Sequence, residues 1–112
     1  MAIEPSGVLD ELMQVVVDRK RNPSPKSYTC QLLAGGVERI GAKVVEEAAE
    51  VVDAAAEAGD DGRAHTVREA ADVLYHLWVL LAAREIPLAE VEAELARRFG
   101  ISGLEEKASR TG

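Results

Sequence analysis

The chain has 112 residues, 47% hydrophobic and 29% charged, with a formal net charge of −7 at pH 7. That size fits one domain over residues 1–112, large enough for a modest core and small enough for a second copy to add useful buried surface. The acidic balance, without a basic face or run, excludes a nucleic-acid backbone as the main partner, and no apolar run reaches membrane-spanning length. A phosphorylated small molecule is not excluded, because it would arrive with metal ions that neutralise its charge.

The pattern predicts helices throughout. Ser6 is placed to cap a first helix with Leu9, Leu12, Met13, Val16 and Val17 at helical spacing, ended by Arg21-Asn22-Pro23-Ser24-Pro25. Ser27-Tyr28-Thr29 starts a short apolar segment through Leu33, punctuated by Gly35-Gly36. Its lone cysteine, Cys30, has no internal partner and reads as a small packing residue in a reducing compartment. With no leader-like N-terminus, the protein is expected to be cytosolic.

A second helix is predicted from about Val37 to Ala58, with the stripe Val37, Ile40, Val44, Ala48, Val51 and Ala55 and with Gly59 as its left-handed cap. The third, from about Asp61 to Arg84, is apolar nearly all round between Val73 and Ala83, which calls for burial on every side. A homodimer meets that demand, each copy contributing a helical hairpin to a four-helix bundle. Pro87 opens a fourth helix with Leu88, Val91, Leu95 and Phe99 on its inner face, stopped by Gly100. The tail, about 101–112, is Gly- and charge-rich and is expected to be partly ordered.

Two acid pairs, Glu47/Glu50 and Glu69/Asp72, lie symmetrically about the turn Gly59-Asp60-Asp61-Gly62. Residues three apart share a helix face, so each pair projects its carboxylates together, and a hairpin sets the pairs opposite one another. Converging carboxylates repel unless a hard cation cancels their charge, and Mg2+ prefers oxygen ligands. The bland reading is a solvated acidic face, and two matched pairs on otherwise apolar elements weigh against it. His76 reads as a packed, hydrogen-bonded histidine, His65 as a surface residue, and Tyr75 and Trp78 as core or interface aromatics.

Lys43-x-x-Glu46-Glu47-x-x-Glu50 followed by Glu69-x-x-Asp72 resembles the signature of the all-α nucleoside triphosphate pyrophosphohydrolases, the MazG-like superfamily. Ser27-Tyr28-Thr29, Ala71-Asp72-Val73-Leu74-Tyr75-His76-Leu77 and Ser102-Gly103-Leu104-Glu105-Glu106-Lys107-Ala108 narrow the resemblance to its phosphoribosyl-ATP pyrophosphatase family, over roughly residues 9–110. The resemblance implies Mg2+-dependent hydrolysis of phosphoribosyl-ATP to phosphoribosyl-AMP and pyrophosphate, the second step of histidine biosynthesis. The superfamily alternative is a house-cleaning hydrolase of non-standard nucleoside triphosphates.

Under that reading Glu47, Glu50, Glu69 and Asp72 are the expected Mg2+ ligands. Glu46, about 100° round the helix from Glu47, is an outer group or general base, and Lys43 contacts phosphate or orients a carboxylate. Tyr28 and Thr29 either cap the short helix or line the nucleotide pocket. Arg97, Arg98, Lys107 and Arg110 form a basic cluster, and a tail folded over the site would bring Lys107 and Arg110 to the substrate's phosphates.

Overall fold

The computed structural model describes residues 7–111, which are all-α. The helices are α1 (Val8–Arg21), α2 (Tyr28–Ala55), α3 (Gly59–Ala83), α4 (Leu88–Arg97) and α5 (Gly103–Thr111). Ser6, the expected cap of α1, lies outside the described residues; the residue preceding α1 is Gly7, which makes no side-chain cap bond.

α2 is two helical stretches joined at Gly36, whose backbone (φ 75, ψ −176) is open to glycine at no steric cost. The break therefore falls at the glycine pair that punctuates the sequence. Ser27 caps the first stretch, its hydroxyl oxygen accepting the Cys30 N–H at 3.2 Å. Neither Tyr28 nor Thr29 does so, because both side chains reach across to α3 instead. The half-buried Cys30 thiol donates to the Arg19 carbonyl oxygen at 3.3 Å and so ties α2 to the end of α1.

The long arms of α2 and α3 pair as a hairpin, and their shielded positions show how. On α2 the line is Ile40, Val44, Glu47, Val51 and Ala54; on α3 it is Gly62, Thr66, Glu69, Val73, His76 and Leu80. Both advance by alternating steps of four and three, the repeat that keeps one seam against a neighbouring helix over many turns. The stripe expected for α2 shares Ile40, Val44 and Val51 with this seam and leaves it at Ala48 and Ala55, which are exposed; Val37, next to the break at Gly36, is 50% exposed.

Gly59 closes the hairpin turn with φ 76, the left-handed conformation expected of it. Gly62 is buried so tightly that a Cβ there would lie 2.2 Å from the Glu57 carbonyl oxygen, and Thr66 Oγ1 donates to the Gly62 carbonyl at 2.7 Å. The turn is thereby locked against the first turns of α3.

The core gathers Met13 and Val16 of α1, Leu32 and Ile40 of α2, and Trp78, Val79 and Ala82 of α3. Trp78 Nε1 donates to the Leu9 carbonyl at 2.8 Å, and Lys20 Nζ donates to the Ala82 carbonyl at 2.9 Å, satisfying an acceptor at the end of α3. Among the described residues no helix is long and apolar enough to cross a membrane.

The last third departs from expectation. Leu88 packs against the core, but Leu95 is 51% and Phe99 80% exposed, so the predicted inner face of α4 is only half covered within one chain. The tail is a helix. Ser102 Oγ accepts the Glu105 N–H while the Glu105 carboxylate accepts the Ser102 N–H, a capping box that starts α5. Glu106 is then buried among cations, with Arg97 Nη2 at 2.6 Å, Arg110 Nε at 3.4 Å and Arg98 Nε at 4.0 Å. Those guanidinium groups, Arg97 first, hold its carboxyl below the usual range.

Candidate metal centre

Because Glu47 and Glu69 sit on the two seams, each takes an inward position where an apolar side chain would otherwise pack. Glu50 is one turn further along α2, on the same side. One carboxylate oxygen from each of Glu47, Glu50 and Glu69 lies within 4.8 Å of the others. The Glu47 and Glu69 side chains are only 12% and 14% exposed.

Such crowding is unfavourable for three anions. Desolvation, followed by Glu50's hydrogen bond and charge and then by the charges of Asp72 and Glu69, pushes the Glu47 carboxyl up to about 7. The Oε2 atoms of Glu47 and Glu69 are both buried without a hydrogen-bond partner. Burying unpartnered carboxylate oxygens is costly, and a cation between the helices removes that cost. An all-oxygen donor set suits Mg2+ rather than a soft metal. The residues present therefore fit the group that the sequence implies.

Asp72, with its shorter side chain, is exposed and stands outside the group of three, although its charge is felt at Glu47. Glu46 is exposed on the neighbouring side of α2 and pairs with Lys43, whose Nζ is 3.4 Å from Glu46 Oε2. That pairing raises the Lys43 ammonium above its ordinary value.

Tyr28 and Thr29 belong to a polar and aromatic cluster beside Glu47. The Tyr28 and Tyr75 rings stack at 6.3 Å, and the Thr29 and Tyr75 hydroxyls are hydrogen-bonded. His76 Nδ1 faces the Asp72 carbonyl at 2.9 Å; a carbonyl only accepts, so Nδ1 carries the proton and Nε2 accepts from the Tyr28 hydroxyl at 3.0 Å. His76 is thus the packed, hydrogen-bonded residue expected, with Nδ1 also 4.0 Å from Glu47 Oε1. Lys107 and Arg110 are exposed on α5, where Arg110 faces Glu106.

His65, read from the sequence as a surface residue, is half-buried and lies between Glu57 and Glu69. Its four-residue spacing from Glu69 was the available signal.

A family model described as phosphoribosyl-ATP pyrophosphohydrolase matches residues 9–99. The chain is 52% identical over 102 residues to a phosphoribosyl-ATP pyrophosphatase of Rhodopirellula baltica, covering 91% of this chain and 85% of that protein. It is 52% identical over 103 residues to proteins of the same name from Trichlorobacter lovleyi and Dinoroseobacter shibae, covering 92% of this chain and 93% and 98% of theirs. With the family model spanning most of its length and half of its residues shared with those relatives, the chain belongs to the phosphoribosyl-ATP pyrophosphohydrolase family.

Proposed function

We propose that the protein is a cytoplasmic hydrolase that converts phosphoribosyl-ATP to phosphoribosyl-AMP and pyrophosphate with Mg2+, the second step of histidine biosynthesis. The observation that carries the chemistry is the convergence of Glu47, Glu50 and Glu69 with two buried oxygens left unpaired. The substrate is carried by the relatives' names. Glu47, Glu50 and Glu69 hold the cation, and Asp72 adds its charge from the exposed rim. When bound, Mg2+ supplies charge neutralisation at the phosphates and lowers the pKa of water.

The chain's own residues do the rest. Water adds to the α-phosphorus, the bond from that phosphorus to the bridging oxygen breaks, and pyrophosphate departs. Glu46, open to solvent beside the ligand helix face, takes the proton of the attacking water, and Lys43 contacts phosphate from one turn away. Tyr28 and Thr29 line the nucleotide pocket, held by Tyr75 and His76. Lys107 and Arg110 add positive charge for the phosphates from α5. Pyrophosphate release from phosphoribosyl-ATP is expected with Mg2+ and not after chelation. Equal or faster turnover of modified nucleoside triphosphates in the same assay would favour a house-cleaning hydrolase instead.

The working unit in this proposal is a homodimer. Val45, Val52 and Val67 are 71%, 68% and 64% exposed on the hairpin, and Val45 and Val52 are two turns apart on one face. A second hairpin laid on that face completes a four-helix bundle. Sedimentation should return twice the chain mass; a chain that stays monomeric at high concentration contradicts this arrangement.

A further inference from the structure

We infer that His65 is a positioning residue for the metal centre: anchored by Glu57, it holds one oxygen of Glu69 so that the other is presented to the cation. The inference rests on the reading of Glu47, Glu50 and Glu69 as ligands. His65 and Glu69 are four apart on α3 and share a face. His65 Nδ1 is hydrogen-bonded to Glu57 Oε2 at 2.8 Å, and His65 Nε2 is 3.3 Å from Glu69 Oε1, an ion-pair contact when the ring carries both protons. Glu57 comes from the connection between α2 and α3, so the three side chains tie the ligand helix to the turn.

That turn is rigid. Gly62 lies so close to the Glu57 backbone that no side chain fits between them, and this contact fixes the residue from which the Glu57 carboxylate projects. The order of restraint therefore runs from the turn to Glu57, from Glu57 to the His65 ring, and from the ring to Glu69 Oε1. What remains is Glu69 Oε2, buried and without a hydrogen-bond partner, on a residue whose carboxylate converges with those of Glu47 and Glu50. A glutamate has several rotatable bonds, and one already ordered loses less freedom when it binds a cation. His65 is not itself a ligand here, since both ring nitrogens face carboxylates and Mg2+ prefers oxygen.

Calorimetric titration of Mg2+ into the whole chain tests this with His65→Ala, His65→Gln and Glu57→Ala. His65→Ala should weaken Mg2+ binding about tenfold, the lower end of what losing such an outer partner costs. His65→Gln, whose amide N–H can donate to Glu69, should recover most of that loss, and Glu57→Ala should weaken binding by a smaller factor. All three should melt like the wild type in metal-free buffer. Wild-type affinity in His65→Ala, no recovery in His65→Gln, or a loss matched by lower metal-free melting would overturn the inference. A wild type that takes up no Mg2+ would overturn the metal reading itself, and the inference with it.

Discussion

Glu47→Gln is expected to abolish turnover and, without metal, to raise the melting temperature at pH 8. Both effects follow from one position. Glu47 sits on the α2 seam, largely shielded, with Glu50 and Glu69 converging on it. Removing its charge deprives a cation of an inward ligand, and the loss in kcat should be on the order of 10²–10³-fold or more, as for deletion of other preorganised electrostatic groups. The same change relieves repulsion and desolvation in the metal-free fold. After discounting for solvent screening, the gain should be about 1–2 kcal/mol at pH 8. A variant that turns over normally, or melts lower than the wild type without metal, contradicts the placement. Asp72→Asn should also lose activity, with less effect on metal-free stability, because Asp72 is exposed.

The second large effect is a linkage between protons and metal. The Glu47 carboxyl is raised to about 7 in the fold, above its ordinary 4.5. A carboxyl raised on folding favours the folded state most at pH below 4.5, where it is protonated in both states, and that advantage is lost as pH rises through about 7. Metal-free stability should therefore decline across this window. Mg2+ requires the deprotonated form, so its affinity should rise over the same window and level off above it. Melting with Mg2+ at about a hundredfold its dissociation constant should show roughly 2.7 kcal/mol of added stability at pH 8, and much less at pH 5.5 for the same Mg2+ concentration. Scans in which Mg2+ stabilises equally at both pH values would show that Glu47 does not titrate with the metal.

Much of this was legible in residue spacing. Gly36 and Gly59 mark the break and the turn because only glycine takes their backbone conformations without strain, and symmetry about the turn brings Glu47 and Glu50 to Glu69. The inner face of α2 was less legible, since an average helical period drifts from the seam that a long antiparallel pair adopts. Asp72 shares the spacing of its partners but has a shorter side chain, and spacing does not report reach. α5 was hidden by its composition: Gly103 and the charges around it suggest loop, whereas the Ser102–Glu105 box and the burial of Glu106 among arginines organise a helix. The exposure of Leu95 and Phe99 depends on what lies opposite them in space, which a one-dimensional pattern does not contain.

Whether Glu47, Glu50 and Glu69 form one divalent-cation site between α2 and α3 is decided by calorimetric titration of Mg2+ at pH 8 into the wild type and Glu47→Gln. Saturable binding is expected of the wild type and should be lost in Glu47→Gln while that variant remains folded. Equal binding by both proteins, or none by either, would refute the shared site.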